Sequence, residues 1–394
     1  MALPNVIITL ANGALGQVAA TDDGVAGLIL TGVAVAGILE LNTVYQFSST
    51  RDLKTHGVTE EDNPLVYKDV TAFYEQAGDG AELYVIVVSE ATTLTQMCSM
   101  DDDSPIRKLI NFARGRIRLV GINRIPATGY QPDTDDTGID NDAVLAATSA
   151  QAVAQSYEAK VNPFRILIPG LLWDGKTDKL FKPREASFNR VGFVLASDKQ
   201  IEDTYSCAIG RVLGRAAAYP VNYSVARVKS GSIAPDGFLS DGRTPETAEG
   251  QHALLHEAGY IFYRTFVGKN GYYLNDDCMA APLSDDYNSL NLGRVIDKAI
   301  IIAYITYIDE INDNVELDEK GNLPKGVSVD FENRIEKAVA IQMSGEISNF
   351  SAYINSNQNI LSSSRMTVVC KIVPKGTLRE IIVELGFENP ALIQ

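Results

Sequence analysis

Two rhythms of apolar residues alternate along the chain: short continuous runs, and longer stretches apolar at every third or fourth position. The runs at 25–30, 43–47, 83–88, 117–122, 164–168 and 191–195 predict strands. The run at 83–88 is apolar throughout, the pattern of a strand covered on both faces. The periodic stretches predict helices. Val66, Val70, Phe73, Tyr74 and Ala77 form one stripe behind an Asn63-Pro64 start, and Ile106, Leu109, Ile110 and Ala113 form another behind Ser104-Pro105. An alanine-rich helix over 143–157 is expected to be capped from Asn141 or Asp142, and 201–218 reads as largely helical. Strands separated by helices predict an α/β core: a mainly parallel sheet with right-handed crossovers.

The pattern changes after residue 258. The stretch 260–267 is strand-like. Residues 292–311 carry Ile296, Ile300, Ile301, Ile302, Ile305, Ile308 and Ile311 among Tyr304 and Tyr307, which predicts a helix buried on all sides. Its length matches a membrane span, but Arg294, Asp297, Lys298, Asp309 and Glu310 argue against one. A further helix capped by Ser328 or Asp330 carries Phe331, Ile335, Ala338, Val339 and Met343. The chain closes with a strand at 366–373, a Pro374-Lys375-Gly376 turn and a final strand at 378–387. In that strand Ile381, Val383, Leu385 and Phe387 share one face, and Ile382 lies on the other with Glu380 and Glu384.

The opposite end is also apolar and β-prone, through Val6, Ile7, Ile8 and Thr9. A Gly- and Ala-rich connector separates it from the rest, so this strand has no local partner and must dock elsewhere. Flexible connectors are expected around 11–20 and 356–364. The predicted organisation is an N-terminal arm and connector (1–22), an N-terminal segment (23–90), an α/β middle domain (91–258), an α+β C-terminal domain (259–375) and a C-terminal arm (376–394). No internal repeat is present.

Composition narrows the function. With 45% hydrophobic and 21% charged positions, the 394 residues belong to a globular chain and not to a disordered or fibrous one. A net charge of −16 repels nucleic acid and anionic membrane surfaces, so neither is an expected partner. Met1-Ala2-Leu3-Pro4 carries no basic n-region, and the uncharged stretch before residue 40 is too short to span a bilayer; a cytoplasmic origin is expected. Cys98, Cys207, Cys278 and Cys370 lie far apart without a CxxC, as expected of reduced, mostly buried thiols.

Candidate chemistry is sparse. His252 and His256 stand at i, i+4, but the following Glu257 does not complete an HExxH motif and no third ligand is evident; surface histidines are the expected reading. Asp133, Asp135 and Gly138 imitate the start of a calcium loop, yet its twelfth position is Val144, so a solvated acidic loop is expected. Gly210 and Gly214 fall inside a helix, where they permit close packing and do not cradle phosphate. Ligands of an α/β sheet would bind near Ser89, Asn123, Pro169 and Ser197-Asp198, but no histidine base lies between His56 and His252. No catalytic residue, cofactor or metal is expected. Arg107, Lys108, Arg114, Arg116, Arg118 and Arg124 form a basic cluster in an acidic chain, either scattered surface charge or a patch that meets an acidic neighbour.

Three stretches together resemble the tail sheath proteins of contractile-tailed bacteriophages and of related injection systems. The first joins Gly24-Val-Ala-Gly-Leu-Ile-Leu, Val44-Tyr-Gln-Phe-Ser-Ser-Thr-Arg-Asp-Leu, Val70-Thr-Ala-Phe-Tyr-Glu-Gln-Ala-Gly and Glu82-Leu-Tyr-Val-Ile-Val-Val. The second runs from Gly259-Tyr-Ile-Phe-Tyr-Arg-Thr-Phe-Val-Gly through Gly271-Tyr-Tyr to Asn291-Leu-Gly-Arg-Val-Ile-Asp-Lys-Ala. The third is Cys370-Lys-Ile-Val-Pro-Lys-Gly-Thr-Leu-Arg-Glu-Ile-Ile-Val-Glu-Leu-Gly-Phe. The resemblance implies a subtilisin-like but non-catalytic α/β region, and a C-terminal domain completed by the N-terminal strand and by arms exchanged between subunits. It implies a helical homo-oligomer of stacked, hexameric rings around a tail tube protein, with baseplate and tail terminator proteins as further partners. The expected place is a virion tail, assembled in the host cytoplasm, or an injection apparatus. A cytoplasmic α/β hydrolase-like enzyme is the alternative of another class.

Overall fold

Seven strands make the main sheet of the computed structural model, which describes residues 23–387. β1 (Ala26–Thr31), β3 (Leu83–Val88), β4 (Leu119–Asn123), β5 (Arg165–Pro169), β6 (Val191–Val194) and β10 (Tyr260–Ile261) run parallel. β2 (Val44–Phe47) closes one edge antiparallel to β3. The order across the sheet is β10-β6-β5-β4-β1-β3-β2, so the mainly parallel α/β core expected from the alternating pattern is present.

Register explains the unbroken apolar runs. Leu28 lies opposite Val85 and Gly121, and Ile29 opposite Ile86 and Ile122. Ile29, Ile86 and Ile122 enter a core roofed by α3 (Leu94–Met97), α4 (Pro105–Phe112) and α5 (Asn141–Glu158). Leu28, Leu30 and Val85 enter the opposite core, roofed by α2 (Pro64–Ala77) and α6 (Ile209–Ala218). Both faces are buried, so neither can be polar.

α2 and α6 cross without room for side chains between them. A Cβ on Gly210 would overlap the Asp69 carbonyl oxygen, and one on Gly214 the Phe73 carbonyl oxygen. These two glycines pack helices, as their position in the sequence suggested. Gly214→Ala must push α6 off α2, and overpacking of this kind costs about 1–3 kcal/mol. A lowered urea midpoint is the expected result; an unchanged one would mean that the two helices separate freely.

Several elements differ from the sequence expectation. Residues 196–207 are not helical: β7 (Ala196–Ile201) and β8 (Thr204–Cys207) form a hairpin extended by β9 (Phe238–Leu239). Glu202 takes a left-handed conformation at its turn (φ 51°), so the helix starts only at Ile209. α5 is capped by Asp140 and not by Asn141 or Asp142. The Asp142 carboxylate is committed elsewhere, accepting from the Leu94 and Thr95 amides at the start of α3. Asn63 precedes α2 as expected, but its carboxamide clamps Val33, accepting from its N–H at 2.8 Å and donating to its carbonyl. The expected strand at 260–267 divides: β10 joins the main sheet, while β11 (Tyr263–Arg264) pairs with β12 (Tyr273–Leu274).

The C-terminal region is built from α8 (Leu290–Tyr307), α9 (Lys325–Gln342), β13 (Ile347–Ile354), α10 (Ile360–Ser363) and β14 (Val368–Pro374); α1 (Arg51–Thr55) and α7 (His252–Ala258) complete the helices. α8 is not buried on all sides: buried positions run from Leu290 to Ile302, while Tyr304 and Ile305 near its end, and Ile308 and Ile311 beyond it, are exposed. α9 starts after Pro324, ahead of both expected caps. Ser328 is buried inside its first turns, and Asp330 pairs with Arg334. Within the expected connector at 356–364 lies the short α10, where the Asn359 side chain accepts from the Ser362 N–H.

The largest correction concerns the closing strands. β14 pairs with β13, a strand the sequence pattern did not disclose, and residues 375–387 hold no regular structure. Cys370, expected to be buried in that run, is exposed, whereas Cys98, Cys207 and Cys278 are buried as expected. The N-terminal strand of Val6, Ile7, Ile8 and Thr9 lies outside the described residues. Among the described residues, no helix is long and apolar enough to cross a membrane.

Candidate functional site

The first half of α8 buries four polar side chains, Asn291, Arg294, Asp297 and Lys298. Each polar group has a separate task. Asp297 accepts from Arg165 at the start of β5 through Nε at 2.7 Å and Nη2 at 2.9 Å, and from Arg190 Nη2 at 3.2 Å. Arg190 also reaches Glu158 on α5. Burial alone would lower the Arg190 guanidinium, but the Asp297 and Glu158 charges raise it above its ordinary range. Arg165 further donates to the Gly293 carbonyl at 3.0 Å, and a Cβ at Gly293 would collide with its guanidinium. This network fastens α8 beneath the parallel sheet.

Both ends of the described chain return to the same helix. Lys298 Nζ sits 2.6 Å from Asp23, where the N-terminal segment enters, and 2.8 Å from Glu346, just before β13. Arg294 donates to the Asp23 and Tyr219 carbonyls, and burial pushes its pKa down to about 10. At the other end Asn291 meets Thr377 Oγ1 at 3.3 Å. Arg379 reaches Asp276 at 2.9 Å. Burial would raise the Asp276 carboxyl, but the Arg379 hydrogen bond and charge hold it below the usual carboxylate range. Burial and the Asp276 charge push the adjacent Asp277 up to about 7.

Beyond this anchor the C-terminal segment leaves the body. Ile381, Ile382, Val383 and Leu385 are between 69% and 92% exposed, and Phe387 is fully exposed. They form no strand here. β13 and β14 make a sheet of only two strands, which is marginal by itself. The Glu332 and Glu336 side chains on α9 accept from the Ile354 and Ala352 amides of β13. The outer edge of β14 pairs with no strand among the described residues. Beside it lies a groove of ≈ 630 Å³ between α8 and the sheet, lined by apolar residues including Leu292, Ile296, Ile300, Phe350 and Ile372.

The crevice beyond the parallel strands is closed by its own polar groups. Asn123 Nδ2 donates to Asp69 and to the Cys207 carbonyl, and Lys68 Nζ donates to the same carbonyl at 2.7 Å. Ser197 donates to the Ser206 carbonyl, and Asp198 accepts from Arg211 and Tyr263.

The basic cluster is not one continuous patch. Arg124 is buried against Asp142 and stacks on Tyr130, so it drops out of any exposed surface. Arg116 pairs with Glu82, Arg118 donates to the Gly115 carbonyl, and Arg107 and Lys108 pair with the highly exposed Asp102 and Asp103. Arg114 is exposed beside Lys160 in a cleft of ≈ 410 Å³. In the acidic loop Asp133 is engaged by Asn141, and Lys179 Nζ donates to the Asp135 carbonyl. His252 and His256 do not converge on a shared ligand set; His256 instead approaches Asp276 and Cys278.

Sequence reasoning missed Asp297, Arg165, Arg190, Asp276 and Arg379. A signal was present: Arg294, Asp297 and Lys298 fall at helical spacing on an otherwise apolar helix, and charges that interrupt such a helix on one side call for buried partners as well as arguing against a membrane span.

Comparison with known proteins bears on the whole chain. The DUF2586 N-terminal domain matches residues 3–278, and the DUF2586 C-terminal domain matches residues 286–392. No curated protein matches the sequence. The fold is that of contractile sheath proteins. A chain of the six-fold symmetrised baseplate of the anti-feeding prophage superposes with a TM-score of 0.63 at 12% identity, covering 99% of this chain and 100% of that one. The contracted helical sheath of the anti-feeding prophage gives 0.63 at 12% identity, with 98% and 100% covered. The sheath tail protein of Desulfitobacterium hafniense gives 0.51 at 11% identity, with 94% and 100% covered.

Proposed function

We infer, for a chain that belongs to the DUF2586 family, a structural role: the repeating subunit of a contractile sheath in a phage tail or a phage-like injection system. The observation that carries this reading is the pair of unfinished surfaces among the described residues, a β14 edge that pairs with none of their strands, beside an apolar groove, and an apolar segment left exposed. Each supplies what the other lacks, but on different copies. An extended segment carrying Ile381, Ile382, Val383, Leu385 and Phe387 adds a strand to a neighbour's β14, with main-chain hydrogen bonds for affinity and alternate side chains for register. The N-terminal segment of Val6, Ile7, Ile8 and Thr9 is assigned the same task toward another neighbour. Such contacts are head-to-tail and propagate a lattice instead of closing a dimer.

The lattice is read as stacked, hexameric rings around a tail tube, joined at its ends to baseplate and terminator proteins and assembled in the cytoplasm. The division at 1–22, 23–90, 91–258, 259–375 and 376–394 then separates two arms from a body that moves as a unit. Contraction is a rigid-body rearrangement of such bodies about their arm roots, without chemistry. A crevice sealed by Asn123, Asp69 and Lys68, with no histidine between His56 and His252, supports a subtilisin-like region that is not catalytic. Arg107, Lys108 and Arg114 are assigned to contacts with an acidic neighbour, with Arg116 and Arg118 at the margin. Surface pairs such as Arg107–Asp102 are weak and exchange readily with a partner's carboxylates.

The test is to purify the full chain, then measure its mass by sedimentation and examine it by electron microscopy. Rings or tubes are expected. A monomer or small closed oligomer at every concentration and salt would overturn the reading.

A further inference from the structure

Among the described residues, one group of side chains lies beside the anchor of the C-terminal segment and shares Asp276 with it. His256 on α7, Asp276 and Cys278 bring one nitrogen, one oxygen and one sulfur ligand atom within 4.8 Å of one another. Asp276 and Cys278 are buried, while His256 is exposed and leaves an entry path. The set mixes the three donor types of zinc sites and lacks the all-oxygen character that calcium or magnesium requires. Tetrahedral zinc holds its ligands roughly 3.3–3.8 Å apart, so closure by about an ångström suffices.

Two guanidinium groups guard the site. Arg184 donates to Cys278 Sγ at 2.9 Å, and Arg379 occupies Asp276. We propose that His256, Asp276 and Cys278 form a site for a thiophilic divalent cation of the zinc type, with water as fourth ligand, and that the cation and Arg379 compete for Asp276. The exchange balances in charge. One M²⁺ enters, the Cys278 thiol proton leaves to solvent, and the Arg379 cation leaves the carboxylate. Because Arg379 and Thr377 are the anchors of the C-terminal segment, occupation frees that segment at its root. Only this last link to assembly rests on the sheath reading; the cation site does not.

The experiment titrates cobalt(II), as a spectroscopic stand-in for zinc, into the reduced full-length chain. One equivalent is expected to give a thiolate-to-cobalt charge-transfer band that zinc then displaces. Cys278→Ser should abolish the band, while Cys370→Ser keeps it. Arg379→Ala should tighten cobalt binding at least tenfold, because the competing cation is gone. Circular dichroism verifies that each variant folds. Absence of the band at one equivalent, its survival in Cys278→Ser, or unchanged affinity in Arg379→Ala would each overturn the proposal. A chain that binds cobalt but never polymerises would defeat the sheath reading and leave this site standing.

Discussion

A chain ending at Glu380 is expected to fold normally and to remain monomeric under conditions in which the full chain builds tubes. Folding survives because residues 381–387 give the body little: Ile381, Val383, Leu385 and Phe387 are all at least 69% exposed, and the contacts of Thr377 and Arg379 with the body are kept. Assembly fails because the same residues are the material of the intersubunit strand. Burying Ile381, Val383, Leu385 and Phe387 in a neighbour contributes about 1.5–3 kcal/mol each, on the order of 6–12 kcal/mol gross, before the cost of ordering the segment. Loss of that term outweighs any remaining contact made by exposed ion pairs. Sedimentation velocity reads the mass and far-ultraviolet circular dichroism reads the fold. Tubes from the truncated chain would show that the arm is not the joint.

Asp297→Ala is expected to lower stability by about 3–5 kcal/mol, the usual consequence of removing one partner from a buried ionic group. The Arg165 and Arg190 side chains are 1% and 3% exposed, so neither guanidinium can recover water when the carboxylate is lost. Glu158 still faces Arg190, but among the described residues Arg165 retains only carbonyl acceptors, at Asn189 and Gly293. The effect should reach beyond the body, because α8 carries the contacts of both arm roots. Urea unfolding of Asp297→Ala beside Asp330→Ala makes the comparison. Asp330 also pairs with an arginine, but in solvent, where about 0–1 kcal/mol is expected. Equal midpoints for the two variants would mean that the buried network is not what fastens α8.

Much of the parallel body is legible in the sequence. Strands covered on both faces leave continuous apolar runs, and Leu83–Val88 is such a run; amphipathic roofs leave a 3.6-residue stripe, as on α2 and α4. Local signals mislead where the polar side chains have other partners. Asp142 is placed to cap α5 but binds α3 and Arg124, which no local pattern reveals. β13 is hidden in the sequence because it interleaves Ser348, Asn349 and Ser351 with Ile347 and Phe350, and only the pairing with β14 makes it a strand. Residues 378–387 show the opposite error. Their alternation is that of a strand, yet they pair with no strand among the described residues.

The sequence by itself determined the α/β class, the packing glycines of α6 and the apolar character of both ends, since each depends on neighbours along the chain. Only the tertiary structure decided which strand pairs with β14, that Asp297 joins Arg165 to Arg190, and that Asp23, Thr377 and Arg379 gather around α8 and the Asp276–Asp277 pair. Those contacts join residues up to about 270 positions apart, as Asp23 does with Arg294, and a buried charge gains its partner only when the fold brings it there.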